Sequence, residues 1–266
     1  MKTIVLFIFS VLTISAFASP QNMAVMTGTN AQTIQGQKAF TGDALFSDPT
    51  NPSDCLYIAT TWTNSDHGLY IALSTTGSDW NFTSASHIYV DPSGGACRDM
   101  SINYFGGCYW LAYGKDDNES DGKVYFAKSY DLTNWTYVGS ADTSSGLPGV
   151  HDCWAGQWFQ EPGVADYTGA HIFVNMSTSS SNITSDMQTY ELHPLDSNLS
   201  TWSTPVKLSG SLPGNILDAC CTEVSGTFNL FYRHATYGAG DYIEHATATS
   251  ITGPYTPVHT GDWMGI

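Results

Sequence analysis

Four short apolar strands recur along this chain at a nearly constant interval. They are Leu56–Trp62, Tyr109–Gly114, His171–Ser177 and Phe228–Arg233, and their starts lie 53 to 62 residues apart. A repeat of that length requires each strand to be read with its neighbours as one supersecondary unit. Each is preceded by another strand: Asp43–Ser47, Asp99–Tyr104, Glu161–Ala165 and Asp218–Val224. Gly106-Gly107 and Ser225-Gly226 mark tight hairpin turns in the second and fourth units. Third strands follow at Leu69–Ser74, Val124–Ser129, Gln188–His193 and Tyr242–Thr247. A fourth lies near an aromatic late in each unit: Trp80, Trp135, Trp202 and Tyr255. Helical periodicity is nearly absent. Units of ~50–60 residues with four strands each are the plan of a β-propeller blade. A pair of β-sandwiches is the alternative all-β reading, and the in-phase aromatics favour the propeller.

The amino terminus bears on compartment. Lys2 precedes an apolar run from Ile4 to Ile14, and Ala16-Phe17-Ala18 follows in the small-x-small pattern of a cleavage site. The run is too short to span a bilayer, so residues 1–18 read as a secretory signal and residues 19–266 as one propeller domain. Six cysteines, Cys55, Cys97, Cys108, Cys153, Cys220 and Cys221, suit disulfides in an oxidising compartment. Their 15 possible pairings stay open. Adjacent Cys220 and Cys221 should point to opposite faces of a strand. Sequons begin at Asn81, Asn118, Asn134, Asn175, Asn182 and Asn198, so a secreted glycoprotein is expected.

The formal charge of −16, from 24 acidic and 8 basic residues, argues against nucleic acid or an anionic membrane as partner. A soluble monomer acting on a polysaccharide or oligosaccharide is the expected state.

Aligned by their second strands, the units place Asp43, Asp99, Glu161 and Asp218 at equivalent positions, each opening a first strand. First strands line a propeller's channel, so the symmetry would deliver four carboxylates to one cavity. Crowded carboxylates repel, which favours a protonated acid facing an ionised partner. That pairing is the apparatus of glycosidic hydrolysis. Asp and Glu also hydrogen-bond backbone where strands begin, and that reading competes at each position.

At these residues the chain resembles glycoside hydrolase family 43. Arg98-Asp99-Met100-Ser101-Ile102, followed by Gly107-Cys108-Tyr109-Trp110-Leu111, is similar to the family's Arg-Asp-Pro-Ser-Ile and Gly-x-Tyr-Tyr-Leu. Ser129-Tyr130-Asp131-Leu132-Thr133-Asn134-Trp135 resembles Ser-x-Asp-Leu-x-x-Trp. Trp158-Phe159-Gln160-Glu161 matches Trp-Ala-Pro-Glu at its ends, and Leu217-Asp218-Ala219 resembles Ile-Asp-Pro. Met100, Gln160 and Ala219 replace the family's prolines. The resemblance implies a five-bladed propeller, of which four blades are visible, and hydrolysis with inversion. By position it makes Asp99 the general base and Asp218 the modulator of the acid's pKa. The family's acid opens the next blade in a Glu-Gly-Pro motif, and this chain ends at Gly261-Asp262-Trp263-Met264-Gly265-Ile266 before such a motif would come. Glu161 is the candidate acid within the chain, with Asp43 and Trp158 as candidate substrate-binding residues.

There is no Gly-x-Ser-x-Gly elbow, Gly-rich phosphate loop, His-Glu-x-x-His or Cys-x-x-Cys. The histidines are scattered, and His151, His234 and His245 read as structural. No spacing calls for a metal or another cofactor. The leading expectation is an extracellular glycosidase on arabinose- or xylose-containing plant polysaccharide. A catalytically inactive glycan-binding propeller and a transglycosylating or fructan-active one are the rivals.

Overall fold

A computed structural model describes residues 21–25, 57–63, 67–74, 79–115, 121–145, 147–150, 152–178, 186–236 and 240–262. Among these residues the chain forms an all-β propeller of four antiparallel, four-stranded blades. The first blade holds β1 (Gln21–Val25), β2 (Tyr57–Trp62), β3 (Tyr70–Ser74) and β4 (Asn81–Phe82). The second holds β5 (Cys97–Phe105), β6 (Cys108–Lys115), β7 (Lys123–Ser129) and β8 (Trp135–Asp142). In the third are β9 (Asp152–Gln160), β10 (Ala170–Ser177), β11 (Gln188–Leu192) and β12 (Val206–Lys207). The fourth has β13 (Ile216–Val224), β14 (Thr227–Thr236), β15 (Gly240–Ala248) and β16 (Thr256–His259). Among the described residues no helix is long and apolar enough to cross a membrane.

The sequence of β6 shows why the blades stack. Successive strand residues point to opposite faces. Tyr109, Leu111 and Tyr113 therefore enter a core shared with Ile58, Ile71 and Leu73 of the first blade. Trp110 and Ala112 enter a second core with Ile172, Val174 and Met176 of the third. A central strand is covered on both faces, and all eight residues of β10 are buried. Its polar side chains are bonded there, His171 to Glu191, Asn175 to Thr189 and Ser177 to Asp186. Phe173 turns the other way, into the core shared with Leu230 and Tyr232 of the fourth blade.

The late aromatics lock each blade onto the one before it. Trp202 stacks on Phe126 of the second blade at 4.6 Å, Trp135 packs near Tyr89, and Tyr255 lies in the core between the third and fourth blades. One local device aims both tryptophans. The Asp131 carboxylate accepts from the Thr133 and Asn134 amides at 2.9 and 2.7 Å, Leu132 adopts φ 63°, and Trp135 Nε1 donates to the Leu132 carbonyl at 3.1 Å. In the third blade the Asp196 carboxylate accepts from the Asn198 and Thr201 amides at 2.8 and 2.7 Å. Leu199 has φ 57°, and Trp202 Nε1 donates to its carbonyl at 3.0 Å.

The hairpin turns lie where the sequence placed them. Gly106 and Gly107 have φ 58° and 82°, Ser225 and Gly226 φ 53° and 81°, the paired positive values of a type I′ turn. Two first strands differ from expectation. In the first blade the inner position belongs to Gln21–Val25, which pairs antiparallel with β2 through Ala24↔Thr60 and Val25↔Ala59. Asp43 and the leader 1–18 lie outside the described residues. In the third blade the inner strand is Asp152–Gln160, not Glu161–Ala165. A long turn through the 3-10 segment Tyr167–Gly169 occupies the place of a two-residue hairpin, which moves the inner strand upstream.

Cys97, Cys108, Cys220 and Cys221 stand as free thiols in no disulfide. Cys220 pairs with Phe231 and Cys221 with Leu230, so their side chains take opposite faces. Burial pushes the Cys97 and Cys108 thiols up to about 12 and about 11, which leaves neither a nucleophile at neutral pH.

Candidate active site

The inner strands carry one shared irregularity. Register shifts between Arg98 and Ser101 in β5 and between Leu217 and Cys220 in β13. In β9 it shifts between Trp154 and Gln157, opposite Phe173 and Asn175. At each of these bulges one non-glycine residue has a left-handed backbone: Asp99 (φ 47°), Ala155 (φ 52°) and Asp218 (φ 52°). Asp tolerates this region better than most side chains, and Ala does not, so the geometry belongs to the repeat rather than to the carboxylate. Bulges of this kind re-aim a side chain out of the alternation of its strand.

Cross-blade hydrogen bonds put the three bulges at one end. Trp158 N donates to Ser101 Oγ at 3.0 Å, and Asn103 Nδ2 donates to Gln160 Oε1 at 3.0 Å. Both links join residues at the same sequence offset, so β5 and β9 run side by side in the same direction. Asn175, which pairs with Trp154, donates from Nδ2 to the Ile216 carbonyl at 2.8 Å and accepts from the Ala219 amide at 3.4 Å. It thereby clamps the Asp218 bulge level with the Ala155 bulge. Thr60 performs the corresponding task in the first blade, its Oγ1 donating to the Met100 carbonyl at 2.9 Å.

Asp99 and Asp218 are half-buried. Arg233 Nη1 lies 3.3 Å from Asp218 Oδ2. Beside Asp99, the Arg98 guanidinium sits 4.7 Å over the ring of buried Trp62, and that ring also meets His67. A third carboxylate at this end, Asp152 on the first position of β9, is buried. The sequence does not mark it, because Glu161 stands where the repeat leads one to look for the acidic residue of the third unit.

Glu161 is not brought together with Asp99 and Asp218. It follows the last residue of β9, six positions beyond the Ala155 bulge and therefore about 20 Å down the strand. Trp158 packs edge-on against Phe105 at 5.5 Å and near Phe126 and Trp202, within the contact between the second and third blades.

The register gathers a different set at the Glu161 end. His171 is opposite Phe159 on β9, one step beyond the Ile172↔Leu192 pair that joins β10 to β11. This brings it beside His193. Glu191 Oε1 lies 2.7 Å from His171 Nδ1 and 3.0 Å from His193 Nδ1, and Glu161 Oε1 lies 3.2 Å from His171 Nε2. Burial pushes the Glu191 carboxyl up, but the bonds from the two imidazoles outweigh it and hold the group below its ordinary value. The Glu191-x-His193 spacing puts both on one face of a strand, and that signal was present in the sequence. His234 and His245 have protein partners: His234 Nδ1 meets Glu244 Oε1 at 3.3 Å, and His245 stacks on Phe231.

No family model matches the chain, and no curated protein matches it in sequence. Solved structures match its fold. A thermostable family-43 glycoside hydrolase superposes with a TM-score of 0.59 at 14% identity, over 76% of this chain and 68% of that one. An endo-arabinase from Bacteroides thetaiotaomicron gives 0.58 at 14% identity, over 77% and 75%. An exo-β-1,3-galactanase from Phanerochaete chrysosporium, solved with β-1,3-galactotriose, gives 0.56 at 13% identity, over 77% of this chain and 47% of that one. The fold of this chain is the one these structures share.

Proposed function

We propose that the chain is a secreted glycoside hydrolase that cleaves arabinose- or xylose-containing plant polysaccharide with inversion, and that Asp99 is its general base. The observation that carries this reading is the pair of aspartates at matching bulges, Asp99 and Asp218, at one end of a propeller whose fold is shared with glycoside hydrolases. An ionised Asp99 takes a proton from water as that water attacks the anomeric carbon. The glycosidic oxygen leaves from the opposite face with a proton from a carboxylic acid. Inversion sets those two carboxyl groups ~6.5–9.5 Å apart, with room for the water between them. The negative charge of Asp218, tempered by Arg233, favours the protonated form of that acid. Glu161 is too far down the inner strand to serve, so the acid comes from elsewhere.

The substrate class is tested with the purified chain on debranched arabinan, xylan and β-1,3-galactan, following newly formed anomers by NMR. Release of the inverted pentose anomer is expected. Galactan hydrolysis alone would move the substrate class, and saturable glycan binding without hydrolysis would favour a lectin-like propeller.

A further inference from the structure

We infer that His171, His193 and Glu191 form a binding site for one divalent transition-metal ion of the zinc class, with Glu161 as its outer partner. The three ligand atoms lie within 4.8 Å of one another. Both imidazoles present Nδ1 to the same carboxylate oxygen, at 2.7 and 3.0 Å. Those separations approach the ~3.3 Å between ligands that Zn–N bonds of about 2.0–2.1 Å impose on a tetrahedron, so small side-chain adjustments would admit the ion.

A second contact points the same way. A histidine that binds a metal through one ring nitrogen almost always gives the other N–H to a carboxylate, a backbone carbonyl or water, which fixes its tautomer. Glu161 Oε1 stands 3.2 Å from His171 Nε2, on the far side of the ring from Glu191. When the ion takes the Nδ1 lone pair, the imidazole proton resides on Nε2 and Glu161 accepts it. Phe159 packs against the His171 ring, tilted by 42° at 6.0 Å between centroids.

The donor set selects the ion. Two imidazole nitrogens and one carboxylate suit zinc, cobalt or nickel, whereas calcium and magnesium demand more oxygens. Access exists from one side. The His193 side chain is 42% exposed and that of Glu161 43%, while Glu191 is buried, which leaves a fourth position toward solvent for water. The site ties the turn after β9 to β10 and β11 at the end of the blade away from Asp99. Its effect is therefore on the rigidity of the third blade rather than on the bond-breaking step.

The test is calorimetric titration of the purified full chain, stripped with chelator, using zinc chloride, with calcium and magnesium chlorides alongside. Cobalt absorption reports the coordination geometry. One zinc per chain is expected, with tetrahedral cobalt bands, a rise in Tm with zinc, and no comparable heat from calcium. His193→Ala, at a half-exposed position that folding tolerates, should weaken zinc at least 100-fold. Glu161→Gln should weaken it about 10–100-fold. His245→Ala, which alters a histidine stacked between Phe231 and His259 in another blade, should leave affinity unchanged. Absence of saturable zinc binding, equal affinity in His193→Ala, or loss that follows His245→Ala instead would overturn the site.

Discussion

Asp99 and Asp218 occupy the same place in two inner strands, each the third residue of its strand and each at a bulge with a left-handed backbone, φ 47° and 52°. Between them the third blade keeps the bulge and substitutes Ala155. Among the described residues, three inner strands thus carry a bulge with a left-handed residue, and the sequence mounts a carboxylate on two of them.

If Asp218 raises the pKa of the acid, its charge should be visible in the pH–rate profile. The high-pH limb reports the group that must stay protonated. Asp218→Asn removes a negative charge, so that limb should move down by roughly 1 unit or more. Arg233→Met removes the cation 3.3 Å from Asp218 and should move the same limb up. Opposite signs in the two variants check the assignment, and a profile unmoved by either contradicts it.

Asp91 should account for part of the chain's acid sensitivity. Its burial pushes the carboxyl up, but bonds from Ser93 and Tyr113, the latter at 2.7 Å, outweigh this and hold it below the usual carboxylate range. A depressed folded pKa gives stability that is present above the unfolded value of ~3.9 and is lost as pH falls through the folded one. Asp91→Asn should cost about 1–3 kcal/mol at pH 7 and flatten the decline in Tm below pH 4. Denaturant titrations of both proteins at several pH values check this.

The late tryptophans should behave as inter-blade locks. Trp202→Ala removes a ring stacked on Phe126 of the neighbouring blade and should lower unfolding stability by about 3 kcal/mol. Trp202→Phe, which keeps a ring but loses the Nε1 bond to Leu199, should cost less. Urea midpoints would show the order.

Secretion and glycosylation can be read on one sample from a eukaryotic host. The mature chain should begin at Ser19, with glycans on exposed Asn81 and Asn198. Asn175 should be bare, because its side chain is fully buried and bonded to Thr189 and the Ile216 carbonyl. Peptide mapping that finds residues 1–18 retained, or a glycan on Asn175, would contradict this.

The repeat is legible because each blade restates the same alternation and late aromatic. The second and fourth units carry Gly106-Gly107 and Ser225-Gly226, so their inner strands and their bulge aspartates could be aligned. The third unit could not, since the turn after Gln160 is long and carries a glutamate at the spot where an aspartate was sought. Placing Glu161 by analogy moved it about one strand length from its true level. β1 was hidden for a related reason: residues 26–56 separate it from β2, far more than a hairpin needs. The spacing of Glu191 and His193 is legible along one strand, but their meeting with His171 depends on cross-strand register, which the sequence does not give.

The role of Asp99 as general base is tested by the turnover of Asp99→Asn on arabinan beside the unaltered protein. Asn accepts the left-handed backbone that Asp99 adopts, so fold and Tm should be kept. The amide cannot take a proton from water, and kcat should fall by about 10²–10⁴. Turnover of Asp99→Asn at the rate of the unaltered protein would show that another group is the base.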